Sequence, residues 1–255
     1  MKGDVTMSDT KETIAAAKEG FEAAFAEKNF YARQTQDDTQ LNAIIDFLPV
    51  RPGMKILDLG AGTGYLTFAI AKSFPDVTIV GLDIVEKALE NDRRRAADEK
   101  LDNISFCVYD GVNFPFADKS FDMVVSRYAL HHFPEIRASL SEISRVLTDE
   151  GYLFICDPTP NDNDKDGFID EYMQVKPDGH IRFYSAEEWK ELCRESGLFP
   201  ADSFKSSIRF PRKMEQAYLD IMRKYDRDVV ESYDMKIIDK EVWVTEWVNN
   251  MLFCK

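Results

Sequence analysis

The sequence predicts an α/β fold: a seven-stranded, mostly parallel sheet with helices on both faces. Two patterns and one total carry that expectation. Apolar runs of strand length alternate with amphipathic stretches of helix length along most of the 255 residues. The runs end in a glycine turn at Gly60 or in an acid, at Asp83, Asp110 and Asp157. Hydrophobic residues make up 44% of the chain, enough for a sizeable core. Strands and helices in this rhythm wind a parallel sheet through right-handed crossovers.

In chain order, residues 11–28 are Ala-rich and helical, with Ile14, Phe21 and Phe25 near one stripe. A second helix over 35–48 turns Leu41, Ile44, Ile45 and Leu48 inward, and Pro49 with Pro52 and Gly53 ends it. Ile56 to Leu59 is the first strand, and Gly60, Gly62 and Gly64 form the turn into a helix over 65–72. Further strands are expected at 77–83, 104–110, 121–126 and 151–157, with helices at 86–100 and 134–147 between them. Ser185 with Glu188 reads as a capping box that opens a helix, and Gly197 closes it. A strand over 203–210, one long helix over 214–233 and a last strand from Glu241 complete the reading.

Bulk properties exclude several classes. The formal net charge is −14, which opposes a phosphate backbone or an anionic membrane surface as the main partner. Cys107, Cys156, Cys193 and Cys254 lie far apart, with no C-x-x-C pair to support zinc or dithiol chemistry. No apolar run reaches spanning length and the first residues lack a signal-peptide core, which reads as a cytoplasmic protein.

The glycine turn points to a ligand at a helix N-terminus, because only glycine lets a ligand approach bare backbone there. It does not fit a dinucleotide fingerprint, since Tyr65 stands at the third glycine position, nor a phosphate-cradling loop, which needs Gly-Lys-Ser/Thr. In open α/β sheets ligands bind beyond the carboxyl ends of the strands. Asp83 lies roughly 20 residues beyond the turn, where an acid accepts from ribose hydroxyls. Asp110 is placed to accept from an adenine amino group. Each acid also reads as an ordinary cap or turn residue, and it is their joint placement that indicates a nucleoside.

These residues resemble the class I S-adenosylmethionine-dependent methyltransferases, in the type 11 or UbiE-like branch. The resemblance rests on residues 56–64, on Val80 to Ile84, on Tyr109 and Asp110 with residues 114–116, on residues 121–133, and on residues 142–151. It implies a Rossmann-like fold, with an N-terminal helical lid over residues 1–48, a methyltransferase domain over 49–255 and a helical insertion over 212–235. It implies S-adenosylmethionine as cofactor and S-adenosylhomocysteine as product. It places the methionine part of the cofactor on Gly60, Ala61, Gly62 and Gly64 with Asp58 in support, the ribose on Asp83, and the adenine against Ile84, Asp110 and Gly111. Arg127 or Tyr128 lines the cofactor, and Tyr31 closes over it, with Arg33 assisting the carboxylate.

The acceptor side is less determined. His131 and His132 follow the fourth strand, where substrate approaches; they read either as a base or orienting pair, or as a helix start. Asp157 and His180 are further candidates for contact with substrate. Residues 162–170 place Asp162, Asp164 and Asp166 at the first three ligand positions of a calcium loop, but Met173 stands where the closing Glu belongs. A solvated acidic loop is the better reading and calcium the lesser one. The acidic charge, and the absence of an Asn-Pro-Pro-Tyr-like motif, leave a small molecule as the expected acceptor, with nucleic acid and membrane set aside. Alternatives are a non-catalytic sensor or partner subunit that only binds the cofactor, and a nucleotide-dependent oxidoreductase.

Overall fold

The structure is a computed structural model and describes residues 7–26 and 38–255. The chain opens with α1 (Met7–Ala26) and α2 (Thr39–Phe47). It then alternates: β1 (Lys55–Leu59), α3 (Tyr65–Ser73), β2 (Thr78–Asp83), α4 (Glu86–Asp98), β3 (Ile104–Val108) and β4 (Phe121–Arg127). A short 3-10 turn at Leu130–His132 leads to α5 (Ile136–Val146), β5 (Leu147–Thr159), α6 (Phe168–Gln174) and α7 (Ala186–Glu195). The last part comprises β6 (Phe199–Lys213), α8 (Gln216–Lys224), α9 (Arg227–Ser232), β7 (Lys236–Ile238) and β8 (Glu241–Cys254).

The strands form one sheet in the order β3-β2-β1-β4-β5-β8-β6, and the short β7 pairs with β8 beside that path. The pairs from β3 through β5 are parallel, while β8 runs antiparallel to both β5 and β6. The expected seven-stranded, mostly parallel sheet is therefore the main path, with β7 added. The order reverses at β1, which has β2 on one side and β4 on the other. This opens a crevice at the carboxyl ends of β1 and β4.

Successive residues of β1 face opposite sides, so the sheet carries two cores. Leu57 and Leu59 join Leu140 and Ile143 of α5 and Trp189 of α7. Ile56 joins Ile44 of α2 and Leu66 and Ile70 of α3. A third cluster, with Phe168, Tyr172, Phe210 and Tyr233, seats the elements that follow β5 against the long β6–β8 ribbon. The capping box is present: Ser185 Oγ accepts from Glu188 N at 3.2 Å and the Glu188 carboxylate accepts from Ser185 N at 2.9 Å.

The single helix expected over 214–233 is two. Tyr225 is extended (φ −101°, ψ 161°) between α8 and α9. Its ring packs 5.3 Å from Phe168 and its hydroxyl donates to Glu171, and these contacts pull the chain out of helical register. The acidic loop is also more ordered than expected, because it ends in α6. Asp164 accepts from Phe168 N (2.7 Å), Ile169 N (2.9 Å) and Tyr233 Oη (2.8 Å). Its carboxylate is thus committed to the start of α6, and among the described residues no cluster of three or more His, Cys, Asp or Glu could hold a metal ion. The calcium reading gains no support. Replacing this cap, in Asp164→Ala, is expected to lower the unfolding free energy by about 2 kcal/mol, read from urea denaturation, since it removes a helix cap and orphans a buried phenol.

Candidate functional site

The site is built around the turn after β1. Gly60, Gly62 and Gly64 all have positive φ (74°, 55° and 67°), which an L side chain resists. A Cβ at Gly60 would come 2.4 Å from the Ala129 Cβ, so the close approach of the β4 loop also requires glycine. Four N–H groups of the turn are already used: Gly60 N (2.8 Å) and Ala61 N (3.2 Å) donate to Leu82 O, Gly62 N donates to Asp83 Oδ2 at 2.8 Å, and Gly64 N donates to Ala61 O at 2.8 Å. What the turn offers a ligand is therefore space and carbonyl oxygen. That suits an ammonium group better than a phosphate.

A cavity of about 140 Å³ opens above the turn. Gly60, Ala61, Gly62, Asp83, Ile84, Gly111, Arg127, Tyr128 and His132 line it. Asp83 is 8% exposed, and its other oxygen accepts from Val85 N at 2.9 Å. It joins the end of β2 to the turn while facing the cavity. Tyr128 has φ +54°, a strained conformation for an aromatic residue, and a bond from its N to Cys156 O (2.9 Å) holds it there. Arg127 lies 4.4 Å from the Tyr65 ring centre and 4.7 Å from that of Tyr128, and donates to Gln40 Oε1 at 2.9 Å. From above, α1 closes the cavity with Ile14, Ala17 and Phe21. It lies close because Gly20 packs on the Pro177 carbonyl and Gly179 on Ala17, where added Cβ atoms would fall at 2.0 and 2.6 Å.

Four expected residues lie elsewhere. Asp58 and Gly64 do not line the cavity. Asp58 is buried, and its Oδ2 accepts from Thr67 N (3.0 Å) and Thr67 Oγ1 (2.6 Å), which anchors α3. Gly64 leaves room for the Phe68 ring. Asp110 is a turn residue just beyond β3. Its carboxylate accepts from Val112 N (2.8 Å), Asn113 N (2.7 Å) and Asn113 Nδ2 (2.9 Å), and it stands outside the cavity lining, where Tyr109 and Gly111 take its place. Asp157 is 1% exposed and turned to His131, with 2.8 Å between Oδ1 and Nδ1. One oxygen holds that imidazole, the other is buried without a partner among the described residues, and Asp157 lines neither cavity. Tyr31 and Arg33 lie outside the described residues.

All three histidines of the chain converge. The ring centres of His131 and His132 are 4.1 Å apart, and His180 lies 5.3 Å from His131 and 6.0 Å from His132. His180 Nε2 is 2.9 Å from Asp170 Oδ1. Burial, reinforced by the neighbouring imidazoles, pushes His131 and His132 well below the usual imidazole range, so both are neutral at pH 7. His132 Nδ1 is buried with no hydrogen-bond partner among the described residues.

Sequence reasoning missed Asp92 and Glu246. Asp92, on α4, is 5% exposed behind the glycine turn. With Asp58 and Asp83 it concentrates carboxylates beneath that turn, a field suited to a cationic group. Burial raises Asp58 to about 6, and Asp92 and Glu246 to about 7. Each folded value lies above its unfolded one, so this contribution to stability is full at acid pH and is lost as pH rises through about 6 to 7. The urea midpoint is therefore expected to be higher at pH 5.5 than at pH 8. Asp92 had a sequence signal in retrospect: it is the only acid on the buried stripe of α4 with Ala88, Leu89 and Ala96.

A glycine turn, a buried acid ending the second strand and a lidded cavity at the sheet's switch point define an α/β domain that seats a nucleoside-bearing ligand. Comparison with known proteins carries this further. The methyltransferase domain family matches residues 51–223. The chain is 29% identical over 169 residues to the uncharacterized methyltransferase YcgJ of Bacillus subtilis, an alignment covering 66% of each protein. It is 30% identical over 173 residues to the ubiquinone/menaquinone biosynthesis C-methyltransferase UbiE of Dinoroseobacter shibae, covering 66% of this chain and 69% of that protein. It is 33% identical over 159 residues to the 27-O-demethylrifamycin SV methyltransferase of Amycolatopsis mediterranei, covering 60% and 57%. The matched stretch thus spans 57% to 69% of the length of these relatives. The crystal structure of Bacillus subtilis YcgJ superposes with a TM-score of 0.72 at 21% identity, covering 86% of this chain and 99% of that one, which is a likeness of fold. The chain belongs to the class I S-adenosylmethionine-dependent methyltransferase family, in its UbiE-like branch. No helix among the described residues is long and apolar enough to cross a membrane.

Proposed function

We propose that this chain transfers the methyl group of S-adenosylmethionine to a small-molecule acceptor. The observation that carries the reading is the position of His132. It stands in the wall shared by the glycine-turn cavity and a second, more polar cavity, with an unpartnered ring nitrogen. The relatives support the acceptor class, since two of them are named for methylating a quinone precursor and a rifamycin. The net charge of −14 supports it as well, by opposing nucleic acid.

The residues present fit the cofactor. The turn offers carbonyl oxygens over a carboxylate-rich base, Asp83 faces the cavity as an acceptor, and Ile84 and Tyr109 supply flat apolar contact. Asp83 would hold the ribose, Ile84 and Gly111 the adenine, and Gly60 with Ala61 the methionine part. S-adenosylmethionine, when bound, would supply a methyl carbon activated by its sulfonium for in-line transfer to the acceptor's lone pair. His132 Nδ1 takes the acceptor's proton, and its neutral state at pH 7 leaves it able to do so. His131, tied to Asp157, packs beside it and orients it. The α1 helix, through Ile14, Ala17 and Phe21, excludes water and aligns the two reactants, which is the main service this chemistry asks of a protein. The protein is read as acting in the cytoplasm.

Isothermal titration with S-adenosylmethionine, S-adenosylhomocysteine and NAD tests the cofactor assignment. Binding of the first two and not NAD is expected. No binding of either by folded protein would remove the reading. Cofactor binding without methyl transfer to any of a broad acceptor panel would instead favour a sensor or partner subunit.

A further inference from the structure

The second cavity, of about 90 Å³, joins the first along Phe21, Arg127, Tyr128 and His132. It is unusually charged for its depth. Glu246 is 4% exposed and Asp178 8%, and both line it. Asp178 is paired with Lys176 at 2.6 Å. Arg212, from β6, has no ion pair among the described residues. Its Nη2 reaches only Met173 Sδ at 3.4 Å, its guanidinium lies over the Phe210 ring at 4.6 Å, and its Nε is buried without a hydrogen-bond partner. Asp178 Oδ1 and Tyr128 Oη are likewise buried without partners. Arg212 feels the charge of Glu246 and Asp178, but neither reaches it at ion-pair distance, and a buried guanidinium Nε and neighbouring polar atoms left without hydrogen bonds are costly. A ligand that completes them recovers that cost.

The balance of charge selects the sign of the ligand. Lys176, Arg212 and Arg127 face Asp178 and Glu246 across the cavity. Glu246 makes no ion pair among the described residues, and burial lifts it to about 7, so near neutral pH much of it is an uncharged acid able to donate a hydrogen bond. The excess is cationic. Met173, Phe183 and Ile208 supply apolar wall between these groups.

We infer that this cavity is the acceptor site and takes a small hydroxy- or amino-carboxylate, its carboxylate on Arg212 and its nucleophilic O–H or N–H directed to His132 Nδ1. The inference rests on the methyl-transfer reading above. Arg212 and Glu246 are the residues that set acceptor class, and neither lines the cofactor cavity.

The test separates the two readings. Binding of S-adenosylhomocysteine is measured first by isothermal titration; failure there sinks the methyl-transfer reading. Protein saturated with S-adenosylhomocysteine is then titrated with 3-hydroxybenzoate, 3-hydroxybenzamide and 3-hydroxybenzylamine, followed by ligand-observed NMR. The carboxylate is expected to bind at least about tenfold more tightly than the amide, as a bidentate charge-assisted pair does, and the amine most weakly. In Arg212→Gln that preference should shrink to within about threefold while S-adenosylhomocysteine affinity is unchanged. Equal binding of acid and amide, tighter binding of the amine, no binding of any of the three, or a preference that survives Arg212→Gln would each overturn the assignment. The wild-type comparison decides the matter even where the variant fails to fold.

Discussion

Asp83→Ala is expected to weaken binding of S-adenosylmethionine and S-adenosylhomocysteine by at least about 100-fold, because it removes two kinds of interaction at once. The carboxylate faces the cavity, and under the proposed assignment it accepts from a ribose, where a hydrogen bond to a charged group is worth about 1.5–3 kcal/mol. It also accepts from Gly62 N and Val85 N, so its loss frees the glycine turn from β2 and orphans two backbone donors. Asp83→Asn keeps the shape and one acceptor oxygen and should be less damaging. Isothermal titration measures both. Unchanged affinity in Asp83→Ala would place the nucleoside somewhere other than this crevice.

His132→Ala is expected to reduce kcat by about 10²–10⁴-fold toward an acceptor whose nucleophile carries a proton, the usual range for losing a general base. Affinity for S-adenosylhomocysteine should stay within a few fold, because His132 is only one part of a wall that Tyr128, Phe133 and Pro134 also form. The pH profile distinguishes a base from a packing role. Since His132 titrates well below the ordinary imidazole range, kcat should be level across neutral pH and fall only in acid. A variant that keeps full kcat would show that the acceptor reaches the methyl group already deprotonated. His131→Ala should have a smaller effect on the chemical step, acting through the orientation of His132 and leaving Asp157 buried without its partner.

The part of the site nearest the first strand was legible in the residues themselves. An apolar run, three alternating glycines and a helical pattern specify strand, left-handed turn and helix, because those dihedrals are open to glycine and closed to most other residues. Asp83 ends the neighbouring strand and cannot avoid the crevice at its end. The acids farther from the turn were less legible. The sequence placed Asp110 and Asp157 alike at strand ends, yet Asp110 lies just beyond β3 and closes its own turn with Asn113, while Asp157 lies inside β5 and pairs with His131. Position in a strand fixes where a side chain starts; which hydrogen-bond partner it finds depends on what the rest of the chain brings beside it.

By itself, the sequence determined the parallel sheet, the glycine turn and the capping box of α7, since each is written in local periodicity or turn chemistry, and it pointed to the family through the motifs that carry the resemblance. Only the tertiary structure decided the acceptor side. It brought His180 to His131 and His132, stood Glu246 of β8 and Arg212 of β6 around one cavity, broke the helix over 214–233 at Tyr225, and spent Asp164 on a cap. His180 is 49 positions from His131, Glu246 is 34 from Arg212, Tyr225 is 57 from Phe168 and Tyr233 is 69 from Asp164, and no local pattern relates them. Their association follows from burial: each polar group taken out of water must find whatever partner the fold leaves within reach.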